Sequence, residues 1–77
     1  MNYIAIFLDE TGKELSNNTT GQYINIQLGE FNDIHQATDR ARQLFDGYEV
    51  EEGIIWSKTG CGGLLITSDR KNNKHFH

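Results

Sequence analysis

The one thiol, Cys61, lies in Gly60-Cys61-Gly62-Gly63, where a nucleophile would be accessible on a pliant backbone. Nucleophilic chemistry requires the thiolate, and so a neighbouring base or positive field that lowers the thiol pKa. The only histidines are His35, His75 and His77, two of them at the end of the chain. A small residue in a glycine-rich hairpin turn is the simpler account of Cys61. Gly60 to Gly63 also has the composition of a phosphate cradle, but phosphate loops feed a helix N-terminus, and here the β-forming Leu64-Leu65-Ile66-Thr67 follows.

His75-Phe76-His77 offers two metal ligands with no third at matching spacing, and a single cysteine excludes a cysteine-rich zinc site or an intrachain disulfide. The acids Asp46, Glu49, Glu51 and Glu52 invite a carboxylate-pair reading. In a strand Glu49 and Glu51 share one face and Glu52 points the other way, and nothing nearby supplies the apolar burial that would raise one pKa. A solvated acidic edge, which also blocks strand-to-strand aggregation, accounts for them. No residue set specifies a reaction, so the expectation is a non-enzymatic protein with no cofactor and no metal.

Nucleic-acid binding has to be weighed, because small α+β sheets present aromatics to bases and Tyr23 and Trp56 are available to stack. The charge opposes it. Residues 1–57 hold ten acids against Lys13, Arg40 and Arg42, a balance of −7. In the last twenty residues Lys58, Arg70, Lys71 and Lys74 face only Asp69, a balance of +3. Phosphate neutralisation supplies most non-specific affinity, and an acidic body with a weakly basic tail lacks the Lys/Arg stripe for it.

The elements that must position these residues follow from local pattern. Seventy-seven residues make one domain, near the lower size limit for a core without staples, which leaves little room for a deep cleft. The domain is expected over residues 1–69, with 70–77 a fraying basic tail. The longest apolar run, Ile4 to Leu8, is far short of the roughly 20 residues of a membrane span. No basic N-terminus leads into an apolar h-region, so the expectation is a cytoplasmic protein without a membrane partner.

Residues 31–47 predict one short helix. Asn32 or Asp33 is the N-cap, Asp33 with Gln36 three residues later fits a capping-box spacing, and Gly47 fits the left-handed C′ position. At 100° per residue Ile34, Ala37, Thr38, Ala41, Leu44 and Phe45 share one side, while His35, Gln36, Asp39, Arg40, Arg42, Gln43 and Asp46 take the other. Tyr3 to Leu8 reads as a strand apolar on both faces, hence central in its sheet. Ser16 to Gly21 reads as a mobile polar loop. Tyr23 to Leu28 alternates, with Ile24, Ile26 and Leu28 inward and Asn25 and Gln27 in water. Tyr48 to Glu51 alternates until Glu52-Gly53 interrupts it with a bulge or bend, and Ile54 to Lys58 pairs with Leu64 to Thr67 as a hairpin. The resulting fold is an α+β two-layer sandwich in ββαββ order, two antiparallel hairpins with one helix on one sheet face. The other face is left to solvent or a partner, with some of Tyr3, Tyr23, Tyr48 and Trp56 on it.

Tyr3-Ile4-Ala5-Ile6-Phe7, then Tyr23-Ile24-Asn25-Ile26, then Ile34 to Arg42 with its alanine stripe, resembles the N-terminal half of HicB-type antitoxins. It differs before the helix, where Leu28-Gly29-Glu30-Phe31-Asn32 replaces their proline-containing segment. In length and strand order, over about residues 3–67, the chain is similar to small phage-encoded inhibitors of the anti-CRISPR kind, an architectural likeness that transfers no functional residues. The resemblance implies a non-enzymatic inhibitor from a phage or mobile element. Its acids Asp46, Glu49, Glu51 and Glu52, with Asp9 and Glu10 in support, would meet a partner protein's basic, nucleic-acid-binding surface, and Tyr23 and Trp56 would add contact area. The alternatives are a small nucleic-acid-binding module or an antitoxin-like regulator, and a homodimer through exposed strand edges is compatible with each.

Overall fold

The computed structural model describes residues 1–69. The expectations that fall on 70–77, a fraying tail with Arg70, Lys71 and Lys74 and a histidine pair at His75 and His77, lie outside the described residues. Six elements follow in order: β1 (Asn2–Leu8), β2 (Asn25–Glu30), α1 (Ile34–Leu44), β3 (Gly47–Glu51), β4 (Ile54–Ser57) and β5 (Gly63–Ser68). The fold is therefore α+β, with five strands among the described residues rather than the four of the expected ββαββ order. They form one antiparallel sheet in the order β2-β1-β5-β4-β3. The fifth strand arises at Glu52-Gly53, which reverses the chain where a bulge or bend was expected, so that Tyr48 lies opposite Trp56 and residues 47–58 close as a hairpin of their own. The predicted hairpin of 54–58 with 64–67 is the β4–β5 pair.

β1 lies between β2 and β5, as its two apolar faces require, and Ile4, Ala5 and Ile6 are fully buried. Ala5 pairs with Ile66 and faces the core cluster, in which Tyr3, Ala5, Leu28, Ile55, Leu64 and Ile66 join Ala37 and Ala41 of α1. The two alanines leave no bulk between the helix and the strands, which lets the backbones approach closely. Tyr3 belongs to this cluster and is absent from the opposite face. On that opposite face Ile4 and Ile6 are fully buried, flanked by Gln27 and Asn25 of β2 and by Thr67 and Leu65 of β5. A broad wet or partner-seeking surface therefore does not extend across its centre.

Local signals predict the start of α1 well. The Asp33 carboxylate accepts from the Gln36 N–H at 3.0 Å, and the Gln36 side chain reaches back to accept from the Asn32 N–H at 3.0 Å. Thr38, 2% exposed, donates its hydroxyl to the Ile34 carbonyl at 2.8 Å and so is satisfied inside the core. The helix end differs from expectation. Leu44 is its last residue and is half exposed, and Phe45 is the C-cap with extended backbone, its N–H donating to the Ala41 carbonyl at 2.9 Å. Gly47 is not a left-handed cap but the first residue of β3. A Cβ on Gly47 would stand 2.5 Å from the Trp56 carbonyl oxygen and 2.9 Å from Ile55 Cγ2, so close strand packing demands glycine there.

The β1–β2 connection, read from the sequence as a mobile polar loop, carries hydrogen bonds of its own. Asn17 donates its N–H to the Gln22 carbonyl at 2.7 Å, and its side-chain oxygen accepts from the Thr19 and Thr20 N–H groups. Leu15 inserts against the end of β1, donating to the Phe7 carbonyl at 2.9 Å and accepting from the Ile24 N–H at 3.0 Å. That insertion carries Ile24 beyond the core, and it is 45% exposed rather than inward. Among the described residues no helix is long and apolar enough to cross a membrane.

Candidate functional site

The acids expected to bind a partner gather at one edge of the sheet. β3 is the terminal strand beside β4, and Glu49, Val50 and Glu51 are exposed along it, with exposed Glu52 in the turn that follows. Glu49 and Glu51 do not share a face. Glu49 pairs with Ile55 on the core-cluster side, but the register then skips a residue and Glu51 pairs with Ile54 on the opposite side. Val50 is the extra residue of a bulge, which breaks the period-2 parity assumed for a regular strand. The edge thus presents one carboxylate toward each face. Because the Lys58 N–H meets the Asp46 carbonyl at 3.5 Å, ladder alternation turns the backbone N–H and C=O of Glu49 away from β4.

Asp46 is separate from this edge. Its carboxylate pairs with Lys58 at 3.3 Å, both side chains well exposed, an arrangement worth little in stability. With Asp39, Arg42, Gln43, Gly47 and Lys58 it lines an open cleft of about 500 Å³ between the last turn of α1 and β3. The walls mix both signs of charge, so Asp46 contributes to a neutralised pocket and not to the acidic edge.

Trp56 is half-buried on the face opposite the core cluster, directly across from Tyr48 on β3 and Gly63 on β5. A Cβ on Gly63 would come 2.8 Å from Trp56 Cε3, so the indole occupies the space that a side chain there would fill. Tyr48 is 48% exposed and stands on the same face as Glu51. Tyr48, Trp56 and Glu51 therefore form an aromatic-acidic corner. Sequence reading named Tyr48 only as a face aromatic; its cross-strand pairing with Trp56 follows from the Glu52-Gly53 reversal. Tyr23, half-buried in the β1–β2 connection and bridged to Ser16, stands apart from this corner on the far side of the sheet. Asp9 and Glu10 lie in the turn after β1, also away from β3. There the Asp9 carboxylate accepts from the Thr11 hydroxyl at 2.6 Å and from the Lys13 and Thr11 N–H groups at 3.0 and 2.9 Å. These bonds, the Thr11 hydroxyl foremost, hold its pKa below the usual carboxylate range.

The chemistry-bearing alternatives have structural explanations. Cys61 is exposed, its thiol 3.8 Å from the Thr59 carbonyl, and among the described residues no histidine bonds to it. The glycines around it are dictated by packing. A Cβ on Gly62 would meet the Leu8 carbonyl oxygen at 2.5 Å, and one on Gly63 would collide with the Ile55 carbonyl. The described residues hold no cluster of three or more His, Cys, Asp or Glu able to bind a metal ion. The site is thus a surface on a one-helix, five-stranded antiparallel α+β domain. Comparison of the chain with protein-family models, with curated proteins and with solved structures finds no significant match.

Proposed function

We propose that this chain is a non-enzymatic protein-binding module, an inhibitor of the anti-CRISPR kind from a phage or mobile element. α1 forms the back of its scaffold, and the β3 edge docks on a basic surface of a partner that otherwise holds nucleic acid. The observation that carries this reading is the terminal strand β3, where Glu49, Glu51 and Glu52 are exposed and make no ion pair among the described residues. Exposed carboxylates along an edge, one toward each face and one in the turn that follows, steer association with a cationic surface. The Tyr48–Trp56 pair beside them adds aromatic area, the residue class that dominates interface energetics. Tyr23 and Asp46 are peripheral to this reading, the first by position and the second because Lys58 neutralises it.

The test is the triple variant Glu49→Gln, Glu51→Gln, Glu52→Gln, assayed against a partner captured from cells of the source organism or its phage host. Three charges at roughly 0.5 kcal/mol each predict a loss of about tenfold in affinity and a flatter salt dependence. Duplex DNA should compete with the wild-type chain for the same partner. Unchanged affinity and salt slope in the variant would remove the charge-based reading.

A further inference from the structure

The two edges of the sheet are chemically unalike. Two copies paired through β3 would set glutamates against glutamates, which opposes self-association. At the other edge, Asn25 to Gly29 of β2 end a run of fifteen consecutive residues, Leu15 to Gly29, without a charged side chain, and the one charge on the strand, its last residue Glu30, lies 3.7 Å from the N-terminal ammonium. The stretch from Asn25 to Gly29 lacks the charged side chains that usually guard an edge against strand addition.

The backbone of β2 is also in phase for it. Ala5 pairs with Ile26, the Phe7 N–H donates to the Ile24 carbonyl at 2.9 Å and the Ile24 N–H donates to the Leu15 carbonyl at 3.0 Å, so Ile26 spends its hydrogen-bonding groups on β1 and Ile24 spends its own on β1 and Leu15. By alternation the N–H and C=O of Asn25 and Gln27 point outward. The usable stretch is bounded on both sides. The Tyr23 carbonyl already accepts from Asn25 Nδ2 at 2.8 Å, and beyond Gln27 the extra residue Leu28, unpaired with β1, interrupts the ladder.

We propose that β2 is the pairing edge for a second copy of this chain, the two strands running antiparallel across a twofold axis at Ile26 to make one continuous sheet. This register lets Asn25 exchange both backbone bonds with Gln27 of the second copy, and Gln27 with its Asn25. It places the two Ile26 side chains side by side on the core-cluster face, and it needs no residue beyond the two boundaries. No like charges meet across it, and the acidic β3 edges stay at the outer ends of the joined sheet. The inference is therefore independent of what the acids bind.

Sedimentation of the full chain from about 5 µM to about 1 mM should show a reversible dimer, as a modest four-bond edge interface implies. Asn25→Lys with Gln27→Lys sets lysine against lysine twice and should weaken the dimer at least about tenfold, whereas Asn25→Lys with Gln27→Glu sets opposite charges together and should restore it. Circular dichroism checks that each variant is folded. Hydrogen exchange needs no variant: the Asn25 and Gln27 amides of the wild-type chain should exchange fast when dilute and slow when concentrated. A chain monomeric throughout the range, a dimer indifferent to the double lysine, or amides whose exchange ignores concentration would each overturn the proposal.

Discussion

Replacing Gly47 with alanine tests the close packing that ties the acidic edge to the rest of the sheet. The added Cβ would lie 2.5 Å from the Trp56 carbonyl oxygen, 0.9 Å inside the 3.4 Å of ordinary contact, and 2.9 Å from Ile55 Cγ2. Ile55 is fully buried, and the carbonyl is part of β4, so neither can swing aside as an exposed side chain would. β3 must move away from β4 by nearly an ångström, weakening about two ladder bonds at roughly 1 kcal/mol each and adding overpacking strain. The expected loss is about 2–3 kcal/mol, read as a lower urea midpoint at unchanged slope. In a domain of this size that corresponds to a fall in Tm of roughly 10–20 °C. Asparagine separates the two physical accounts of this glycine. Were Gly47 a left-handed helix cap, Asn would be tolerated better than Ala, because Asn visits that conformation. Under the steric account Asn carries the same Cβ and more bulk, so Gly47→Asn should be at least as destabilising as Gly47→Ala. A loss below about 0.5 kcal/mol for Ala, or a clear advantage for Asn, would refute the packing argument.

Asp33→Ala removes the acceptor for the Gln36 N–H and should cost about 1 kcal/mol in urea or thermal unfolding. Asp9 has a folded-state pKa below its unfolded value, so the unfolded chain takes up the proton first and the Asp9 contribution is lost as pH falls below about 4. Asp9→Asn should therefore flatten the acid limb of the stability-versus-pH curve and leave its shape above about pH 5 unchanged; an unaltered acid limb would show that the Thr11 and Lys13 bonds do not persist in solution. Cys61 should alkylate at the rate of an ordinary exposed thiol, and Cys61→Ser should change stability by less than about 0.5 kcal/mol. An accelerated rate at neutral pH would reopen the nucleophile reading.

Sequence by itself determined the features governed by neighbours a few residues apart. Asp33 caps α1 because its carboxylate needs only the backbone N–H three residues on, and Gln36 closes the box from the same turn. β1 is central because a strand apolar on both sides has no wet face to offer. The alanine stripe marked the buried side of the helix for the same local reason, except at Leu44, which is half exposed, while Phe45 beside it still packs against the core cluster. The acids at 49, 51 and 52 were legible as a charged edge from composition alone.

Tertiary structure decided what those residues face. β5 enters between β1 and β4, so the two ends of the described chain meet in mid-sheet, a pairing of distant segments that no local pattern encodes. The bulge at Val50 turns Glu49 and Glu51 to opposite sides, because one extra residue reverses the parity of everything after it. Gly47 is required by a carbonyl on the next strand, and Ile24 is exposed by the Leu15 insertion at the end of β1. Propensity, capping and periodicity act within a turn or two of the chain. The face, register and neighbour of a strand depend on contacts between remote segments, which exist only once the sheet has closed.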